Sequence, residues 1–191
     1  MTADQRINAL FTPEQRRSLH GVRAKLRSPG ASVPSGQALL DRITQVAAGE
    51  LHTPVACVSL VGPEYRLVTS STGLPAPIAL FHTWAFCKQV IASRCSLAVP
   101  DAREHRLLRT TPAVRDGLVI AFAGTPVMTA NGRAVGTLSV SDPQPRPWTR
   151  PQIELLEALA VAIVAEIELG TLAAGPRVPR MLYSTPPTGD A

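Results

Sequence analysis

The chain has 191 residues, of which 45% are hydrophobic and 17% are charged, the composition of one globular domain with extensions. No run approaches the ~18 consecutive apolar residues of a membrane span, and residues 1–17 lack the apolar core of a signal peptide. Three cysteines without a CxxC pair do not suggest a disulfide framework, so we expect a cytoplasmic protein in a reducing compartment.

The net charge of +5 belongs mainly to the N-terminal part of the chain. Residues 1–34 carry six basic and two acidic groups, a balance of +4, whereas residues 35–170 carry eleven of each. Residues 171–191 add two basic groups and one acidic group. A dedicated nucleic-acid surface needs a basic groove on the folded domain, so the electroneutral centre argues against nucleic acid as a partner.

The first predicted helix begins at Thr12-Pro13, with Gln15 as a capping-box partner, and its narrow apolar stripe ends near Leu26. Another side of this helix is basic and is formed by Arg16, Arg23 and Arg27. Such a side could bind an acidic protein, a membrane surface or nucleic acid, or could simply be solvated. A spacer leads into a second amphipathic helix, predicted over residues 37–51.

Two strands and an irregular region follow. The run VACVSLV, Val55 to Val61, is short and apolar between turn residues and predicts a buried strand, and a second strand is predicted over residues 66–71. Thr83 is predicted to cap a short helix from Trp84 to Ser93. The remaining predictions are an extended segment 95–99, a short helical piece opening at Pro100-Asp101, a loop 110–117 and a strand 118–121.

The strongest local signal is a β-hairpin. The runs 122–129 and 134–140 flank Asn131-Gly132, which favours a two-residue turn of type I′. After the proline-rich PQPRPW comes a long helix that begins at Thr149 and carries apolar residues at helical spacing. Residues 171–191 have few apolar side chains and are predicted to be disordered.

This order of elements predicts an α+β domain with a mostly antiparallel sheet and helices on both sides. We divide the chain into a basic helix and linker (1–34), the domain itself (35–170) and a tail (171–191). Alternation makes the two sheet faces different. Val58, Leu60, Leu138 and Val140 form an apolar face; Cys57, Ser59, Thr137, Ser139 and Ser141 form a face of small polar residues.

Between about residues 39 and 169 the sequence resembles a GAF domain. The resemblance is carried, in order, by the segments VACVSLV, TGLPAP, WAFCKQVI, VPDAR, FAGTPV, GTLSVSD and WTRPQIELLEALA. It implies a central antiparallel sheet of five or six strands. It also implies that the first and last domain helices pack on one face and that a small-molecule pocket lies under the short helices on the other.

This resemblance, together with the polar face, gives the candidate ligand-binding residues. They are Cys57, Ser59, His82, Trp84, Cys87, Phe122, Ser139 and Ser141. Cys87 lies in the first turn of the predicted helix, where the helix dipole stabilises a thiolate, so a redox site is one interpretation. The other is a buried apolar cysteine beside Trp84 and Val90.

The sequence departs from the specialised branches of the family. Cys87 falls near one position of the cysteine trio that reduces free methionine sulfoxide, but the segment AREHRLLRT lacks the attacking cysteine. PQPRPWTR stands where the cyclic-nucleotide branch has part of its Asn-Lys-Phe-Asp-Glu set. The sequence shows no second haem ligand to accompany His82. Lys88 follows Cys87, whereas bilin-binding members have histidine at that position. No metal cluster, catalytic set or cofactor is assigned.

The hypothesis from sequence is a non-catalytic sensory or regulatory domain that binds an unidentified small molecule or a partner protein. The alternative is a thiol-dependent enzyme or redox switch centred on Cys87, with Cys57 or Cys95 as resolving thiol. A third possibility is a scaffold acting through the basic helix alone. We also expect a homodimer whose seam uses Ala158, Ala160, Ala162 and Ala165 of the closing helix, and a signal passed to a separate protein.

Overall fold

A computed structural model describes residues 12–27, 36–61 and 67–169. The helices are α1 (Pro13–Leu26), α2 (Gly36–Leu51), α3 (Ala76–Ser93), α4 (Pro112–Arg115) and α5 (Arg150–Leu169). The strands are β1 (Val55–Val61), β2 (Leu67–Thr72), β3 (Leu97–Val99), β4 (Ala121–Met128) and β5 (Ala134–Asp142). The linker 28–35, the residues 62–66 and the tail predicted over 171–191 lie outside the described residues.

The five strands form one antiparallel sheet in the order β2-β1-β5-β4-β3. Helices α2 and α5 pack on one face, with α1 packed against these two helices, and α3 packs on the other face. The predicted α+β class, with a five-stranded antiparallel sheet and helices on both faces, is therefore confirmed. No helix in the described ranges is long and apolar enough to cross a membrane.

The hairpin between β4 and β5 is confirmed, but its turn is not of type I′. Gly132 has a φ of +74°, whereas Asn131 is absent from the residues with positive φ. The Gly132 amide donates to Thr129 O at 2.9 Å and the Thr129 amide donates to Arg133 O at 2.9 Å. These bonds describe a three-residue loop in which a type I turn precedes a left-handed glycine. The register shift after Val127 accompanies it.

The apolar face of the sheet forms the main core with the three long helices. Val58, Leu138 and Val140 from the strands meet Ile43 of α2 and Ile163 of α5, and all five are at most 1% exposed. The capping box at the start of α1 is present, and Leu19, Val22 and Leu26 bury its stripe in the same core. On the outer side of α1, Arg23 and Arg27 are exposed, but Arg16 is half-buried.

The segment before α5, which contains Arg146 and Trp148, connects the helix layer to the sheet through hydrogen bonds. The Arg146 guanidinium donates to the carbonyls of Leu51 and His52, both at 2.8 Å, where it satisfies acceptors at the C-terminal end of α2. It also lies 4.8 Å from the centre of the Trp148 ring, whose Nε1 donates to Val99 O at 3.1 Å. The proline-rich stretch is thus held by one cation and one indole.

Several predictions for the irregular region were wrong. Helix α3 begins at Ala76, eight residues before the predicted Trp84, since proline is tolerated at the first positions of a helix. Thr83 is therefore inside the helix, where its hydroxyl donates to Ala79 O at 2.8 Å instead of capping. Turns replace the helical piece predicted at Pro100-Asp101.

Two further boundaries also differ. The four-residue helix α4 occupies part of the predicted loop 110–117. Thr111 precedes it and Pro112 begins it, a Thr-Pro start that α1 also has. The predicted strand 118–121 is mostly a connection, and only Ala121 belongs to β4. The extended segment predicted over 95–99 pairs only from Leu97 to Val99.

The alanines of α5 do not form a free seam. Ala160, Ala162 and Ala165 are 3–4% exposed and belong to the protomer's own core, while Ala158 is half-buried. A dimer that used the first three would have to displace α1 or the sheet. The oligomeric state therefore stays a prediction, and another part of α5 would have to supply the contact.

Gly136 gives a direct test of the β1–β5 packing. A Cβ at this position would lie 2.1 Å from Ser59 O and 2.9 Å from the Leu60 Cα, both backbone atoms that cannot rotate away. We expect Gly136→Ala to lower the free energy of unfolding by about 3 kcal/mol, the upper end of overpacking costs. Urea denaturation measures it.

The matched control is Gly21→Ala in the exposed middle of α1, where no atom lies within 4 Å of the added Cβ. It should raise the stability by about 0.5–1 kcal/mol, because alanine is the better helix former. An unchanged urea midpoint in Gly136→Ala would contradict the close approach of the two strands.

Candidate functional site

The candidate site is the polar face of the two central strands, which α3 covers. Cys57 lies opposite Ser139 in the β1–β5 register, and Ser59 lies opposite Thr137. These four residues are 0–2% exposed. Because strand side chains alternate, they share one face and the core residues Val58 and Leu138 share the other. The two-faced sheet expected from the sequence is present.

Hydrogen bonds join these side chains into one cluster with α3. The hydroxyls of Ser59 and Thr137 are 3.0 Å apart, and Thr137 Oγ1 donates to Cys87 Sγ at 3.2 Å. Ser139 Oγ donates to Cys57 O at 3.4 Å. We call Cys57, Ser59, Thr137, Ser139, Thr83 and Cys87 the hydroxyl–thiol cluster. Each of its strand hydroxyls has a protein partner, so the cluster is internally satisfied.

Helix α3 lies close to this face because the residues that it turns inward are small. Ala79, Thr83 and Cys87 recur at intervals of four residues and are at most 1% exposed. This spacing places them in one row along the helix. Next to the row, Phe86 and Val90 are fully buried and belong to a second apolar cluster with Val99 and Val119.

Both buried thiols are held in the neutral form. Burial raises the pKa of the Cys87 thiol, an effect that the hydroxyls of Thr137, Thr83, Ser139 and Ser59 only partly offset. Burial also raises the pKa of the Cys57 thiol strongly, and the neighbouring Cys87 adds to this. The thiolate is the nucleophile in cysteine chemistry, so neither side chain is activated. Cys95 is an exposed free thiol.

Phe122 and Ser141 share this face but lie beyond the hydroxyl–thiol cluster. The Phe122 ring packs against Phe86 with centroids 4.7 Å apart and helps to fill the second apolar cluster. Gly124 makes room for it, since a Cβ there would lie 2.7 Å from the Phe122 ring. Ser141 pairs with Phe122 in the register and is 3% exposed.

The sequence places His82 before the helix predicted to begin at Trp84, and this placement was wrong. His82 and Trp84 are both residues of α3 and are only partly buried, outside the row of small residues that faces the sheet. The His82 ring makes an edge contact with the exposed Phe81 at 6.1 Å. No group of three histidine, cysteine or acidic residues in the described part of the chain could hold a metal ion.

Two members of the cluster, Thr137 and Thr83, were not among the candidate ligand-binding residues. Thr137 could have been included from the alternation of GTLSVSD, which puts it on the same face as Ser139. Thr83 lies four residues before Cys87, and that relation matters only if the helix starts early enough to contain both. The ligand-binding role of the whole set stays a prediction.

Known proteins resemble the chain in sequence. The family model described as "GAF domain" matches residues 35–167. A cyclic di-GMP phosphodiesterase of Pseudomonas aeruginosa is 27% identical over 160 residues, which are 83% of this chain. The chain matches only 27% of the length of that relative.

Solved structures resemble it in fold. The GAF domain of a phosphoenolpyruvate-protein phosphotransferase from Acinetobacter has a TM-score of 0.61 at 17% identity, over 84% of this chain and 96% of that one. The corresponding domain from Coxiella burnetii has a TM-score of 0.61 at 16% identity, over 82% and 94%. With a family model that matches more than half of its residues, the chain belongs to the GAF domain family.

Proposed function

We propose that this GAF domain works in the cytoplasm as a non-catalytic sensory or regulatory module. It binds a small molecule between α3 and the polar sheet face, and it passes the bound state to the helices on the opposite face. The observation that carries the proposal is the hydroxyl–thiol cluster, a set of polar groups buried on the sheet face beneath a helix.

Burial of polar groups is costly, which is why the cluster supports a binding role. An apolar face under α3 would fold with less desolvation, whereas each buried hydroxyl must keep a partner. Ser59 and Thr137 satisfy that need with each other and with Cys87 of α3, and Ser139 satisfies it with the Cys57 carbonyl of β1. A ligand with its own donors and acceptors could replace these partners when α3 moves aside, so the polar groups would serve in both states.

The strands themselves give a path to the helices. Ser59 lies between Val58 and Leu60 on β1, and these two neighbours belong to the core that includes α2 and α5. A shift of β1 or β5 at the polar face would therefore change the packing of the helix layer. In the Pseudomonas relative a similar region is part of a longer protein named as a cyclic di-GMP phosphodiesterase. We propose that this domain regulates the activity of a separate signalling protein.

We further propose a homodimer through the outer side of α5. Leu155 and Ala158 are half-buried and three residues apart, so the parts of them that remain accessible can form one contact with a second copy. Small and branched side chains suit close packing of two helices. The dimer contact proposed here therefore uses Leu155 and Ala158 in place of the buried alanines of α5.

Native mass spectrometry of the protein purified from its own host tests both the ligand and the dimer. We expect two protomers, each with a reproducible extra mass. Thr137→Val removes the central hydroxyl of the cluster at nearly constant volume. It should weaken ligand affinity about tenfold, as expected for one lost buried hydrogen bond, and so lower the ligand-bearing fraction. Thr53→Val is the control, since this buried hydroxyl has no partner in the described structure and lies outside the cluster.

A ligand-free wild-type protein would contradict the ligand proposal and would favour partner binding through the helices. An extra mass that Thr137→Val retains in full would place the ligand elsewhere. A monomer at high protein concentration would contradict the dimer.

The thiol-enzyme alternative is tested by alkylation. Iodoacetamide should modify the exposed Cys95 as fast as a free cysteine, and it should modify Cys57 and Cys87 at least about a hundredfold more slowly. Because burial raises the pKa of both buried thiols, the thiolate forms only at higher pH, and the two should stay slow up to about pH 9. In Cys95→Ser the rapid phase should disappear. Fast modification of Cys87 at neutral pH would restore the enzyme interpretation.

A further inference from the structure

A groove lies on the helix side of the sheet, away from the hydroxyl–thiol cluster. It has a volume of about 200 Å³ and lies where the start of α1, the turn after α3, the strand β4 and the middle of α5 meet. We call it the α1–α5 groove. It is lined by Gln15, Arg94, Ser96, Thr125, Pro126, Met128, Glu157, Ala160, Val161 and Val164.

The groove is lined by one cation and one anion that do not pair with each other. Among the described residues the Arg94 guanidinium has no salt-bridge partner, although Glu157 lines the same groove. One oxygen of Glu157 accepts a hydrogen bond from Ser96 Oγ at 2.6 Å. Ser96 Oγ is in turn 3.0 Å from Thr125 Oγ1, which connects the carboxylate to β4. These hydrogen bonds therefore fix the position of the Glu157 carboxylate in the groove.

The basic side has an unusual backbone. Arg94 ends α3 with a φ of +55°, a left-handed conformation that glycine adopts without steric cost. An arginine here costs stability relative to glycine, and this residue lines the groove. This geometry also supplies a useful variant, because Arg94→Gly removes the charge while it relieves the backbone.

The groove also has an apolar wall. It is formed by Pro126 and Met128 of β4 and by Ala160, Val161 and Val164 of α5. The volume is below the ~300–1,000 Å³ of pockets for drug-sized ligands, which restricts the occupant to a small molecule. Its occupant should offer an anionic group to Arg94, a cationic group to Glu157 and an apolar body to the wall.

We propose that the α1–α5 groove binds a small zwitterion of the α-amino acid class with an apolar side chain. The ligand carboxylate pairs with Arg94, the ammonium pairs with Glu157, and the side chain lies on the apolar wall. Gln15 is in the first turn of α1, so the ligand would also connect α1 to α5. This site is separate from the cluster under α3, and its occupancy would reach the helix layer directly.

The experiment is a calorimetric titration of the whole protein with L-leucine. We expect saturable binding with a dissociation constant of about 1 mM or tighter. Two analogues of the same shape serve as controls: 4-methylpentanoate lacks the ammonium and 3-methylbutylamine lacks the carboxylate. Each should bind at least about tenfold more weakly, since each leaves one charge of the groove unpaired.

Two variants test the two charges. Arg94→Gly and Glu157→Gln should each weaken L-leucine binding at least about tenfold, whereas Lys88→Gln, which removes an exposed cation of α3 outside the groove, should leave it unchanged. A urea midpoint for Arg94→Gly at or above that of the wild type would show that the loss is not one of folding. The proposal is overturned if L-leucine does not bind saturably, or if it binds both charge variants as tightly as the wild type.

Discussion

The structure depends on the alternation of side chains along β1 and β5, the two adjacent central strands. Because successive residues point to opposite faces, VACVSLV and GTLSVSD each carry an apolar row and a polar row. Their pairing aligns Val58 with Leu138 and Ser59 with Thr137. The apolar rows then require the three-helix layer, and the polar rows require a cover that supplies hydrogen-bonding groups. The register between β1 and β5 therefore explains both the helix layer on one face and α3 on the other.

The two covers are not equivalent. The helix layer is fixed by large buried side chains, by the capping box of α1 and by Arg146 at the end of α2. Helix α3 faces the sheet with small residues, has no side-chain cap at Pro75, and exposes 45% of Ile78 and 68% of Phe81. The uncapped start and the exposed apolar side chains lower the cost of local opening in the first half of α3, whereas Phe86 and Val90 hold its second half in the second apolar cluster. Helix α3 is therefore the cover that we expect to move, and the opposite layer is the rigid one.

Short sequence motifs predicted those elements of the fold that depend only on neighbouring residues. Asn131-Gly132 located the hairpin and Thr149 located α5, although the turn type depended on the backbone of Asn131. Pro75 and Pro77 obscured the first half of α3, because proline both breaks helices and begins them. That error put His82 in a loop and made Thr83 a cap. The contact between Thr137 and Cys87 joins residues fifty positions apart, so it follows only from the packing of α3 on the sheet.

Hydrogen–deuterium exchange of the ligand-free protein, followed by peptide mass spectrometry, distinguishes a removable α3 from a fixed one. If α3 is a removable cover, its amides, especially from Ala76 to Thr83, should exchange through a local opening. Those of β1, β5 and α5 should stay protected until the whole domain unfolds. Exchange of α3 only at the rate of β1 and β5 would show that the helix is a fixed part of the core. The hydroxyl–thiol cluster would then be a structural network and not a ligand site.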